Sequence, residues 1–549
     1  MVATKLEDGA DADAGERAQT LFDLASARSA SPTTCMIEED ESLSWATFAQ
    51  RSRAMAAGLA GLGVGRGDRV AIWLPNRSAW LVSFFACAQL GAIAVSINTR
   101  FRSAEVGDLL SRSGAKILIY WPTYKDIDFA GILASCSTEA VGKLETLILY
   151  EEEERPQPPS VAGKPAVPFA RLLNSPPMSV NHGAPDDPCV IFTTSGTTKA
   201  PKLVLHSQRN VLAHGFNVGQ QYGMSPANRF LLVPPFCGVY GLCSAMVALV
   251  AGAPLILTPT WNPVLYAQLL RTHRATHLTA SNEAAAQLLD ACPDDKVLSS
   301  IEFVVCANLN PAYADIVERG QKRKVEVVNL YGSSEMQALL SLSDRTASAE
   351  IRGRPGGIFA SARAKVRARD PETGKICPPG ETGELEFFAP ESRFVGYLND
   401  AEATSAATTE DGYFRSGDLG YVEADGSFAY LARMGDTLRL GGFLVSPAEI
   451  EDLVQQHPTV ESCQIVGVQF GGAARPIAFV IARSGATVNE QDIISYTAGR
   501  LAKYKVPAKV FVVDEFPTTP SANGSKVQKT KLRDDAEARL RSLSQDADG

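Results

Sequence analysis

Ten consecutive residues, Thr193-Thr194-Ser195-Gly196-Thr197-Thr198-Lys199-Ala200-Pro201-Lys202, hold five hydroxyl side chains, one glycine and two lysines. They follow directly on the apolar run 189–192. Hydroxyls and backbone N–H groups in such a loop can wrap phosphate oxygens, while lysine adds positive charge. The Walker spacing GxxxxGK[ST] is absent, so the chemistry indicated is not the usual kinase or ATPase arrangement. Taken alone, the stretch reads equally well as a polar surface turn.

Three further segments change the balance: Tyr331-Gly332-Ser333-Ser334-Glu335, Tyr413-Phe414-Arg415-Ser416-Gly417-Asp418 and Arg433-Met434-Gly435-Asp436. With the hydroxyl-rich loop, and in this order, they resemble the acyl-adenylate-forming superfamily. That group includes acyl- and aryl-CoA ligases, peptide-synthetase adenylation domains and firefly-type luciferases. The resemblance covers roughly residues 45–532. It implies that a carboxylic acid and ATP, with Mg²⁺, form acyl-AMP and pyrophosphate. In many members a thiol such as that of CoA then displaces AMP.

The resemblance also implies roles. Thr194, Ser195, Gly196, Thr197, Thr198 and Lys202 would cradle the β,γ-pyrophosphate. Glu335 offers the hard oxygen that Mg²⁺ prefers, and Ser334 keeps the hydroxyl of the threonine usual at its position. Tyr331 is expected beside adenine. Asp418 can accept from both hydroxyls of a ribose diol, and Arg433 can make charge-assisted contacts to ribose or phosphate. Gly435 aligns with the hinge between a large and a small rotating domain, where relatives usually carry aspartate or lysine; glycine eases that rotation. In the tail, residues 517–529 resemble the loop of the adenylation lysine, with Lys526 as the best match and Lys529 as the substitute. Its ammonium would bridge the attacking carboxylate and the α-phosphate.

The acid itself is less legible. Phe236, Cys237 and Gly238 lie in a stretch resembling the wall of the acyl pocket. Cysteine there, in place of a common histidine, points to a bulky or hydrophobic acid. Cys306 and Asn308 fall where many members have a glycine-rich acyl- and adenine-contacting turn, a local structural turn being the alternative. Lys199, Leu203 and Gly441 depart from the pattern, the first two standing where glycine is usual. Gly441 replaces a lysine common in CoA-forming members, which leaves two acceptors open, CoA or an acyl-accepting partner protein.

These residues need a scaffold, and the 549-residue chain is too long for one compact core. At 45% hydrophobic and 21% charged it reads as an ordinary globular protein, and a net charge of -9 argues against a broad nucleic-acid-binding face. Ten scattered cysteines without a CxxC pair fit a reducing cytoplasm, and no secretory signal opens the chain. The apolar stretch 239–257 is broken by Gly252 and Pro254, so it predicts a buried helix, a turn and a strand rather than a membrane span.

Apolar spacing predicts a helix over 45–62, a strand over 68–74, a helix over 79–90 and strands at 92–97, 117–120, 146–149 and 189–192. This alternation points to an α/β fold with parallel sheets. Residues 151–154 and the prolines after them read as a solvated connection. The expected organisation is a large N-terminal adenylating body, 1–434, of several subdomains with parallel sheets and a β-rich part around 383–388. A small mobile α+β C-terminal domain, 435–549, follows. A homo-oligomer is compatible with the sequence.

Overall fold

The computed structural model describes residues 15–38, 41–125, 127–151, 160–194, 201–310, 313–434, 438–440, 443–445, 447–470, 473–498, 500–501, 503–521 and 524–545. The solvated connection expected at 151–154 lies outside them apart from Glu151.

Two sheets form the framework of the large body. The first has eight strands in the spatial order Gly396–Tyr397, Leu203–Ser207, Pro188–Thr193, Ile93–Ser96, Arg69–Trp73, Ile117–Tyr120, Thr146–Leu149 and Ala166–Pro168. From Pro188–Thr193 outward to Ala166–Pro168 every pairing is parallel. Parallel neighbours need crossovers, and helices Ser78–Leu90 and Ser103–Ser113 supply two of them. Both faces are covered, so Ile93–Ser96 and Ile117–Tyr120 are buried along their whole length. Leu203–Ser207 runs antiparallel to both of its neighbours. It therefore returns the chain beside the strand it has just left, with the hydroxyl-rich loop in between.

The second sheet has thirteen strands. Val327–Tyr331, Phe303–Ala307, His277–Ser281, Phe230–Leu232, Leu255–Leu257 and Thr34–Glu38 are neighbours in that order and mutually parallel. Beyond Val327–Tyr331 the pairing turns antiparallel, through Ser341–Leu342, Gly356–Phe359, Phe428–Arg433, Phe414–Val422, Gly383–Phe388 and Lys365–Arg369. Glu386 is fully buried in this antiparallel part and accepts from Arg367 Nε at 2.6 Å and Arg369 Nε at 2.7 Å. That paired charge ties strand Gly383–Phe388, the neighbour of the Asp418 strand, to the edge strand Lys365–Arg369.

Two helices are buried nearly all round. Ser78–Leu90 is buried from Ala79 to Leu90 and stops at Gly91 with φ 68°. Val239–Ala251 stops at Gly252 with φ 77°, after which Leu255–Leu257 enters the sheet. Only glycine takes that left-handed turn without cost, which gives the helix, turn and strand expected of 239–257. Among the described residues no helix is long and apolar enough to cross a membrane. All ten cysteines are free thiols. From Leu438 onward two further cores form around the antiparallel pair Val460–Phe470 and Ala473–Ala482, with Lys509–Val512 added in parallel.

His206 on Leu203–Ser207 and His214 on helix Gln208–Tyr222 lie in the interior. His206 Nε2 donates to the Ser334 carbonyl at 2.8 Å, so its Nδ1 is the bare nitrogen. Burial pushes His206 down to about 4 and His214 to about 3. Both are neutral in the folded protein, whereas the unfolded chain takes up their protons from about pH 6.5 downward. Their contribution to stability is therefore complete above about pH 6.5 and is lost as pH falls toward 4. For His206 alone the loss by pH 5 is about 2 kcal/mol. Urea unfolding at pH 7 and pH 5 should show this fall, and His206→Asn should flatten it. An unchanged pH slope in that variant would contradict the assignment.

Candidate active site

The site is built where the large sheet changes from parallel to antiparallel. Strand Val327–Tyr331 ends there, and the chain doubles back at once. A Cβ on Gly332 would stand 1.2 Å from the Ala338 carbonyl oxygen, so no other residue fits. Gln337 and Ala338 complete the return with φ of 58° and 63°, a costly conformation for side-chain-bearing residues. The surroundings hold the loop in place: His206 Nε2 donates to the Ser334 carbonyl, Phe394 N to the Glu335 carbonyl at 2.8 Å, and Gln337 Nε2 to the Asn210 carbonyl at 3.0 Å. Glu335 is left half-buried, and Tyr397 Oη donates to its Oε1 at 2.8 Å.

Asp418 and Arg433 face each other across two adjacent antiparallel strands. Asp418, 5% exposed, accepts from Tyr331 Oη at 2.5 Å and from Arg433 Nη1 at 2.7 Å. A carboxylate offers about four lone-pair sites, so two remain for a diol. Arg433 Nη1 also donates to the Ser416 carbonyl at 2.7 Å. Desolvation opposes the guanidinium charge, but Asp418 outweighs it, with Tyr331 and Glu335 adding to the pull, and its pKa is raised.

Tyr331 is buried. Its ring is 6% exposed and packs against Phe387, Phe428 and Tyr430 at centroid distances of 5.1, 5.3 and 5.7 Å. Little of either face is open to a base. Burial, then the charge of Asp418, pushes its pKa well up, so its hydroxyl stays a donor that orients Asp418.

The hydroxyl-rich loop is delivered to the same place. Ser195, Gly196, Thr197, Thr198 and Lys199 lie outside the described residues. The neck of the loop is closed: Thr194 N donates to the Lys202 carbonyl and Lys202 N to Thr194 Oγ1, both at 3.0 Å. Leu203, 2% exposed, packs into the core below. The Lys202 ammonium stands 4.5 Å from the centre of the Tyr397 ring.

The substrate-side candidates divide. Phe236 is fully buried against Trp80 at 5.4 Å, and its N–H donates to Asn76 Oδ1, which makes it core rather than an open wall. Cys237 is 6% exposed; burial pushes its thiol up to about 11, partly offset by a hydrogen bond from the Thr99 backbone. It is neutral at physiological pH and no nucleophile. Gly238 caps the buried helix that starts at Val239. Cys306, 1% exposed, sits in an apolar cluster with its thiol pushed up to about 12 by burial. Asn308 Nδ2 donates to the Gly353 carbonyl at 3.0 Å, while its buried Oδ1 has no partner among the described residues. Gly238, Asn308 and Gly332 all follow the carboxyl ends of parallel strands, the usual ligand-binding edge of such a sheet.

In the tail, Lys526 lies on strand Gly524–Val527, paired with Thr519, and its side chain is outside the described residues, as are Gly435 and Gly441. The ammonium of Lys529 is already engaged by Glu451 Oε1 at 2.6 Å, and that oxygen also accepts from Ile465 N at 2.8 Å. Lys529 thus has a structural task within the small domain.

No group of three or more His, Cys, Asp or Glu side chains among the described residues is arranged to hold a metal. A single accessible carboxylate suits Mg²⁺, which binds through one or two carboxylates and takes its other ligands from water and phosphate. Sequence reasoning missed Tyr397, His206 and Gln337. Nothing in their local sequence marks them; their partners are 62, 128 and 127 positions away.

Comparison with known proteins identifies the family. The AMP-binding enzyme family matches residues 24–398, and the AMP-binding enzyme C-terminal domain matches 449–523. The chain is 30% identical over 510 residues, 91% of its length and 96% of the relative's, to 3-[(3aS,4S,7aS)-7a-methyl-1,5-dioxo-octahydro-1H-inden-4-yl]propanoyl:CoA ligase of Mycobacterium tuberculosis. It is also 30% identical over 513 residues, 92% of its length and 96% of the relative's, to a feruloyl-CoA synthase of a Streptomyces species. The crystal structure of ATP-bound MatB from Rhodopseudomonas palustris shares the fold at a TM-score of 0.81 and 24% identity, covering 95% of this chain and 99% of that one. The chain belongs to the AMP-binding enzyme family and is an acyl-adenylate-forming ligase, activating a carboxylic acid with ATP and Mg²⁺.

Proposed function

We propose that the acyl-AMP is passed to CoA, so that the chain acts as an acyl-CoA synthetase on a bulky, hydrophobic carboxylic acid in the cytoplasm. The observation that carries the reading of the site is the convergence of Glu335, Asp418, Arg433 and Lys202 from four separate strands and loops. Support for a CoA acceptor and a bulky acid comes from the two relatives at 30% identity, whose names specify CoA ligation of a ring-bearing and an aromatic acid.

In the first half-reaction the substrate carboxylate oxygen attacks the α-phosphorus, the bond to the bridging oxygen breaks and pyrophosphate leaves. Asp418 grips the ribose hydroxyls and Arg433 lies beside them, with Tyr331 holding Asp418 in place. Thr194 to Thr198, Lys202 and Ser334 line the phosphates. Glu335 would hold Mg²⁺, which would offset phosphate charge. Lys526 orients the two reactants and stabilises the charge that develops between them. In the second half-reaction the CoA thiol gives up its proton to solvent, its sulfur attacks the acyl carbon and AMP departs with the bonding pair. Gly238 and Asn308 border the acyl group, with Phe236, Cys237 and Cys306 packed behind it. We take the domain boundary at 434/435, with Gly435 as hinge.

Gly441 favours a second reading, in which the adenylate is delivered to a partner protein because the CoA route lacks its usual lysine. Product analysis with a panel of carboxylic acids, ATP and Mg²⁺, with and without CoA, separates the two. Acyl-CoA and AMP are expected; acyl-AMP that CoA cannot discharge would favour the partner protein. Lys526→Ala should slow acyl-AMP formation roughly a hundredfold, about 3 kcal/mol, with ATP affinity little changed. A normal rate of pyrophosphate release in that variant would remove Lys526 from the chemistry.

A further inference from the structure

Tyr397 has no role in the reading above, yet it touches two of its parts. It lies on the short edge strand Gly396–Tyr397, paired with Val204 on the strand that leaves the hydroxyl-rich loop. One end of the side chain, Oη, donates to Glu335 Oε1 at 2.8 Å. One face of the ring carries the Lys202 ammonium at 4.5 Å, within cation–π range. The ring is 7% exposed and is backed by Phe394 at 4.9 Å, and Tyr397 N donates to Thr404 Oγ1 at 2.9 Å. Its position is therefore set by its own strand and core, independently of any ligand.

Left to itself, a glutamate carboxylate rotates and can present either oxygen, or both, to a cation. Among the described residues Tyr397 is the one donor to the Glu335 carboxylate. With Oε1 held, Oε2 accepts no hydrogen bond from another described residue. A carboxylate has no hydrogen to give, so the phenol is the donor in this contact.

We propose that Tyr397 is a positioning residue that holds Glu335 with one oxygen free for Mg²⁺ and tethers Lys202 of the phosphate loop to the same ring. The metal ligand and the loop cation are thereby set in register before ATP arrives. This rests on the reading of Glu335 as the Mg²⁺ ligand.

The test measures pyrophosphate–ATP exchange against Mg²⁺ concentration for the wild type, Tyr397→Phe, Tyr397→Leu and Glu335→Gln. Tyr397→Phe keeps the ring and loses one hydrogen bond to a charged group, so half-saturating Mg²⁺ should rise about tenfold, with the rate recovering at saturating metal. Tyr397→Leu also loses the cation–π contact, so its KM for ATP should rise further than that of Tyr397→Phe. A purely structural role would lower thermal stability without moving the metal dependence. Mn²⁺ binding with a non-hydrolysable ATP analogue, followed by electron paramagnetic resonance, reads the same shift where turnover is weak. Unchanged Mg²⁺ dependence in Tyr397→Phe, with Glu335→Gln shifted, overturns the proposal. Unchanged dependence in Glu335→Gln overturns the reading of the metal ligand beneath it.

Discussion

The hydrogen bond from Tyr331 to Asp418 joins two halves of one sheet that have opposite strand logic. Tyr331 ends the last parallel strand, and Asp418 lies in the antiparallel extension. Parallel strands must all point their carboxyl ends to one edge, which makes that edge a crevice. The antiparallel part is free of that rule and can place a side chain from mid-strand over the crevice. Without the change of direction at Val327–Tyr331, Asp418 and Arg433 would have no route to the loop that bears Glu335.

Electrostatics explains why the cluster tolerates burial. A carboxylate at 5% exposure is expensive unless paired and hydrogen-bonded. Asp418 has the Arg433 charge on one oxygen and a phenol on the other. Glu335 sits within the field of the same arginine and accepts from a second phenol. Two tyrosines thus do parallel work, each as a phenol donor to a carboxylate that keeps further acceptor capacity. Tyrosine suits this because its ring can be anchored in an apolar core while its tip remains polar.

The backbone carries its share of the cost. Two consecutive left-handed residues follow Met336, and both bear side chains. Gln337 spends its amide on carbonyls of helix Gln208–Tyr222 and of residues 391–392, contacts that compensate for the strained turn. His206 serves the same end, donating to the Ser334 carbonyl. The loop is therefore pre-formed rather than assembled by a ligand, as electrostatic catalysis requires.

Much was legible from residues alone because the signals are local. Helices 45–62 and 79–90 were readable from spacing and from the glycine that stops the second; they run Trp45–Gly61 and Ser78–Leu90. The order of the hydroxyl-rich loop, Tyr331–Glu335, Asp418 and Arg433 was enough to identify the family, since each motif is contiguous and chemically constrained. The packing of Tyr331 was not legible because it depends on Phe387, Phe428 and Tyr430, 56, 97 and 99 positions further along. Tyr397 gave no signal because an isolated tyrosine means nothing until its partners are known. Residue type and spacing thus nominated the groups for the chemistry. Which oxygen of each carboxylate is held, and by what, was decided only by sheet topology, because a hydrogen bond depends on distances in space that local sequence does not encode.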